Sequence, residues 1–103
     1  MYIMVFVTTS TPEEAENIAK KIVEEKTAAC VNIIREMSSI YYWNNKIERA
    51  SECLLIIKTT YERYSLLEKT IIENHSYKNP EIIGIKIERG AEKYLHWIGE
   101  TLT

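Results

Sequence analysis

The chain opens on an apolar alternation that has no polar side. Ile3, Val5 and Val7 alternate with Tyr2, Met4 and Phe6, so residues 2–9 read as a strand apolar on both sides, expected at the centre of a sheet and covered on both faces. At residue 10 the period changes. Ser10-Thr11-Pro12-Glu13-Glu14 carries the marks of a helix start: Thr11 as cap, Pro12 at the first helical position, and Glu14 closing a capping box at the positive end of the dipole. Ala15, Ile18, Ala19, Ile22 and Val23 follow at spacings of three and four as the inward face, with Glu16, Lys20, Lys21 and Glu24 toward water. This helix is expected to end near Lys26.

Two long β-like runs come next, "ACVNIIREMSSIYYW" and "KIERASECLLIIKT", joined by Asn44-Asn45. Asparagine tolerates positive φ, so the pair fits a two-residue primed hairpin turn. That turn sets Trp43 opposite Lys46, Tyr42 opposite Ile47, Ile34 opposite Leu55 and Ile33 opposite Ile56. Arms of about 14 residues reach roughly 45 Å at 3.3 Å per residue, against a radius of gyration of about 13 Å for a domain this size. The base, Ile33, Ile34 and Leu54–Ile57, belongs to the core. The tip must stand in solvent or pair with something else.

Thr59 and Glu62 suggest a second capping box, opening a helix to about residue 75 with Tyr64, Leu67 and Ile71 inward. The polar loop "HSYKNPEII" leads to a strand in which Ile83, Ile85 and Ile87 alternate with Ile82, Gly84 and Lys86. Gly90 then interrupts the chain before a last helix carrying Tyr94, Leu95, Ile98 and Leu102. The order β-α-β-β-α-β, with crossovers of roughly 20 residues, predicts the α+β class: a ferredoxin-like sandwich with helices on one face, a long second hairpin and an added C-terminal helix. One domain is expected over residues 1–103.

Composition narrows the function. A chain of 103 residues, 46% hydrophobic and 27% charged, has the make-up of a folded domain. A net charge of −2 and a pI near 5.7 give no basic field to gather nucleic acid or anionic membrane. The first apolar run is six residues with no basic region before it, too short for a signal segment or a membrane span. The expected setting is soluble and cytoplasmic. Cys30 and Cys53 sit in apolar runs and read as reduced, buried thiols, with a single disulfide between them as the alternative.

Tyr41, Tyr42 and Trp43 raise the first question of chemistry. Ferredoxin-like sheets that bind RNA carry aromatics on their central strands; here the aromatics lie at a turn, with Lys46 and Arg49 beside Glu48 and Glu52. Pairing of the overhanging hairpin with identical subunits in a closed ring is the preferred reading, which makes the three aromatics intersubunit core. His75, Tyr77, Lys78 and Glu81, in the pattern H-x-Y-x-x-P-E, could ligate a metal or hold an anion. The plainer account has His75 capping the last carbonyls of its helix. His96 reads as a surface or half-buried histidine. No H-E-x-x-H, G-x-S-x-G, P-loop or dinucleotide fingerprint is present, so no enzyme mechanism can be assembled.

The segments "AACVNI", "S-x-YYW-x-x-KIE", "E-x-LLIIKT", "H-x-Y-x-x-PEII" and "YL-x-WI" together resemble the CutA divalent-cation tolerance proteins, end to end from "TPEEAE" to Trp97. The resemblance implies a homotrimer built through the long hairpins, with Tyr41, Tyr42 and Trp43 at the trimer interface. It also implies a non-enzymatic role in tolerance of copper and other divalent cations. No cofactor would be required. Copper or another divalent cation would bind weakly at intersubunit clefts, on His75 and Glu81, with Lys58, Tyr77 and Lys78 lining the cleft. The partners implied are the chain itself and divalent metal ions, with neither nucleic acid nor membrane. Where the family's copper site is described, a cysteine after the first strand and two adjacent histidines ending the second helix fall here on Thr9, Asn74 and His75. Cu(I) favours thiolate and Cu(II) several imidazoles, and of the three only His75 keeps such a side chain. The family also resembles the PII signalling trimers, so the alternative is a PII-like trimer that binds a small molecule or protein partner, metal effects being indirect.

Overall fold

The alternation of the first strand becomes a difference between two sheet faces. The computed structural model describes residues 1–103, running β1 (Tyr2–Thr9), α1 (Pro12–Glu24), β2 (Cys30–Trp43), β3 (Lys46–Thr60), α2 (Tyr61–Asn74), β4 (Ile82–Lys86) and α3 (Glu92–Thr101). The four strands form one antiparallel sheet in the order β2-β3-β1-β4. This is the ferredoxin-like α+β arrangement that the element order predicts. Helices α1 and α2 cover one face, packing Ala15, Ile18, Ile22, Leu67 and Ile71 on Ile3, Val5, Val7, Leu55 and Ile57. Val23, expected inward, is instead 40% exposed, because it lies past the edge of the stripe that meets the sheet. No helix is long and apolar enough to cross a membrane.

The second face differs from expectation. It carries Tyr2, Met4 and Phe6 together with their cross-strand neighbours Ile56, Ile83 and Ile85. Within the chain only α3 lies over it, and at one end, where Tyr2 and Leu95 pack around Ala29, Ile98 and Leu102. Ile34, Ile83 and Ile85 remain 43–49% exposed. The apolar side chains are there, but their second cover is not supplied by this chain.

The hairpin turn is as the sequence predicts: Asn44 and Asn45 have φ of 51° and 63°, the left-handed pair of a type I′ turn. Near the tip the register is the expected one, with Trp43 opposite Lys46 and Tyr42 opposite Ile47. At the base it is displaced by one, with Ile34 opposite Leu54 and Ile33 opposite Leu55. The displacement is a β-bulge between Ile34 and Met37, where Arg35 and Glu36 share Cys53 as their counterpart. The Cys53 thiol donates to the Arg35 carbonyl at 3.1 Å. β1 ends at the same level, Thr9 opposite Cys53. Beyond it β2 and β3 pair only with each other, and the molecule is drawn out to 44 × 25 × 22 Å. Cys30 and Cys53 are both free. Cys30 faces Lys58, five positions along β3 from Cys53 and so about 16 Å away, beyond the reach of a disulfide.

The start of α2 is also displaced. Thr60 is the N-cap and makes no side-chain cap bond, while Thr59 stays in β3 opposite Ile3. Strand pairing continues to the helix start, so Thr59 faces the core and its hydroxyl donates to the Thr27 carbonyl at 2.6 Å. Replacing Thr59 by valine leaves that buried carbonyl without a donor. The expected result in urea unfolding is a loss of about 1–3 kcal/mol, with Thr59→Ser losing less; equal losses would show that the hydroxyl contributes nothing.

Candidate functional site

The end of β1, the first turn of α1, the loop after α2 and the root of the hairpin meet around His75. Thr11 caps α1 by accepting the Glu14 N–H at 3.1 Å, which places the Glu14 carboxylate at the loop between β1 and α1. There one oxygen, Oε1, accepts the Ser10 N–H and hydroxyl, each at 3.2 Å. The other, Oε2, accepts the Ser76 N–H at 2.6 Å. Burial alone would raise this carboxyl; the bonds from Ser76 and Ser10 outweigh it and hold the group below its ordinary value.

His75 ends α2, its N–H on the Ile72 carbonyl. Its imidazole does not turn back to cap its own helix. It crosses to β1, where Nε2 lies 2.7 Å from the Thr8 carbonyl oxygen. A carbonyl can only accept, so Nε2 carries the hydrogen and Nδ1 keeps the lone pair. That lone pair accepts the Tyr77 N–H at 3.1 Å. The side chain is fully buried, with Glu14 Oε2 3.7 Å from Nδ1. The Tyr77 ring sits 4.9 Å from the imidazole, and its hydroxyl donates to Glu52 Oε2 at 2.8 Å. Burial first, then the bond to Glu52 and its charge, push the Tyr77 phenol well above its ordinary value, so it stays protonated and donating. Glu52, itself buried, adjoins the bulge. A cleft of about 300 Å³ lies alongside, lined by Ser10 and Pro12 before and in α1 and by Arg35, Glu36, Glu52 and Cys53 at the bulge.

Of the residues singled out from sequence, His75 and Tyr77 are brought together. Lys78 and Glu81 are exposed on the same loop and lie outside this network. Lys58 is elsewhere, opposite Met4 on the sheet face away from α1 and α2, its amine donating to Asn32 Oδ1. Tyr41, Tyr42 and Trp43 stand on the overhang. His96 is exposed and 3.3 Å from Glu100. Glu14 was legible only as a helix cap, and Glu52 only as a charge in the hairpin arm. The one hint was a carboxylate flanked by Ser51 and Cys53 where the arm turns apolar.

A copper ion does not fit the residues that the family resemblance aligns with its ligands. Thr9 is buried and donates to the Thr11 carbonyl at 3.2 Å. Asn74 Nδ2 donates to the Thr70 carbonyl at 2.8 Å, and both His75 nitrogens are engaged. Nowhere in the chain do three or more His, Cys, Asp or Glu side chains group in a way that could hold a metal.

Residues 3–101 match the family described as CutA1 divalent ion tolerance protein. The divalent-cation tolerance protein CutA of Archaeoglobus fulgidus is 42% identical over 102 residues, covering 99% of each chain. The chloroplastic CutA protein of Arabidopsis thaliana is 43% identical over 96 residues, 93% of this chain and 53% of its own, so the chain spans about half of that relative. Among solved structures, CutA of A. fulgidus, called periplasmic, superimposes with a TM-score of 0.97 at 42% identity over 100% of both chains. The Thermus thermophilus Cut A1 protein gives 0.97 at 38% identity, also over 100% of both. None of these names carries a catalytic activity.

Glu14→Gln tests the electrostatics of the site. The folded-state pKa of Glu14 lies below 4.5, so its contribution to stability is present above pH 4.5 and is lost as pH falls through the lowered value. At neutral pH the variant should be less stable by about 1–3 kcal/mol, and the gap should close toward pH 3. A gap independent of pH would contradict this account.

Proposed function

The chain belongs to the CutA1 divalent ion tolerance family, and we propose that it acts as a non-enzymatic, homotrimeric divalent-cation tolerance protein with copper among its cations. One observation carries the assembly: past the bulge, Ile40, Tyr42, Trp43 and Ile47 are 56–75% exposed on a strand pair without further neighbours. The uncovered second face, with Ile34, Ile83 and Ile85, adds to it. Both outer strands of the sheet, β2 and β4, also present unpaired edges. A closed ring of three copies covers all of these without an open, fibre-forming contact. Trp43→Ala should therefore weaken the trimer and lower its melting temperature. A variant that sediments as a trimer with unchanged melting would refute this role for the hairpin.

Because one chain gathers no three-donor group, cation binding in this reading is weak and is completed between subunits. We place it in clefts beside the α2–β4 loop, where Glu81 offers a free carboxylate and Tyr77 and Lys78 lie close in sequence. No cofactor is required, the partner is the chain itself, and the setting we propose is the cytoplasm, which suits two unbridged thiols. The cleft at the hairpin root favours a second reading, a PII-like signalling trimer that takes a small molecule, with metal effects indirect. Calorimetric titration of tag-free protein with Cu(II) separates the two. Saturable micromolar binding, weakened about tenfold in Glu81→Ala, supports the cation reading; no saturable binding removes it and leaves the second.

A further inference from the structure

We infer that His75 is a structural strut and not a cation ligand in this chain, and that with Glu14, Tyr77 and Glu52 it forms a latch fastening the α2–β4 loop to the root of the hairpin. A ligating imidazole gives its N–H to an outer partner and keeps the other nitrogen for the metal. His75 meets the first half of that pattern through Thr8, but its Nδ1 lone pair is already used by the Tyr77 N–H. The ring is fully buried, so an ion arriving there would have to shed its water and strand a backbone donor. Glu14 is committed in the same way. Its oxygens terminate the Ser76 and Ser10 N–H groups, which a bound ion would leave unpaired.

The consecutive amides of Ser76 and Tyr77 thus end on two side chains, Glu14 of α1 and His75 at the C-cap of α2. This fixes the loop where it leaves the helix. The Tyr77 hydroxyl carries the constraint on to Glu52, one wall of the cleft beside the bulge. The latch holds whether or not a cation binds elsewhere on the trimer. Loop position and cation binding are then separable properties, the first set by the buried network and the second by exposed donors.

The test uses the full-length protein with His96→Gln, which leaves a single imidazole; His96 is exposed and outside the network. Long-range nitrogen-15 spectra of the ring should show the Nε2–H form with a lone pair on Nδ1, unchanged through addition of excess Zn(II). A saturable shift or loss of the Nδ1 resonance with zinc overturns the inference. Tyr77→Phe keeps the ring and removes only the bond to Glu52. The Ser76 and Tyr77 amides, both bonded within the network, should then exchange about tenfold faster. Exchange at the wild-type rate would overturn the latch.

Discussion

A strand pair buries its apolar side chains only where a third strand or a covering layer meets it, and β1 meets the β2–β3 hairpin only as far as Thr9 opposite Cys53. The bulge lies at that level. Two residues of β2 facing one of β3 change the phase of the arms, so Glu52 and Cys53, adjacent in sequence, are both buried. On the core side the hairpin is an ordinary member of the sheet, with Leu55 and Ile57 fully buried beneath the helices. On the far side it is a free ribbon whose Ile40, Tyr42, Trp43 and Ile47 are covered by no third strand or packed layer of their own chain. A two-stranded ribbon of this length is marginal alone, which is why the proposed assembly centres on it.

The polar network at the hairpin root follows from the same geometry. With Glu52 drawn inward beside the bulge, a buried carboxylate needs a donor, and Tyr77 supplies it. Tyr77 is held in turn by His75, and the loop before it by Glu14. Every polar side chain in the cluster is satisfied within the protein, and no buried side-chain N or O in the molecule lacks a partner. Such a cluster suits a joint between elements better than an open coordination site.

The elements themselves were legible because each rests on local signals: the period change at Ser10, the Thr11–Glu14 cap, the Asn44-Asn45 turn and the break at Gly90. The bulge was not, since Arg35 and Glu36 are both polar and their pattern fits either register. Thr59 was misplaced because a strand running directly into a helix leaves no gap in which the cap can be told from the last strand residue. The bare second face was hidden for a different reason: apolar alternation reports that a side chain needs cover and is silent on whether the same chain provides it. At the site, His75 and Tyr77 stood out as polar residues in a short loop. Their partners did not, because Ser76 meets Glu14 across 62 positions and Tyr77 meets Glu52 across 25.

The claim on which the rest of this account turns is that the ribbon beyond the bulge is completed by copies of the same chain. Sedimentation equilibrium of the unmodified protein at micromolar concentration tests it most directly. A single species of about 36 kDa is expected, three times the 12.1 kDa chain. A species of 12.1 kDa that persists as the protein is concentrated would contradict it.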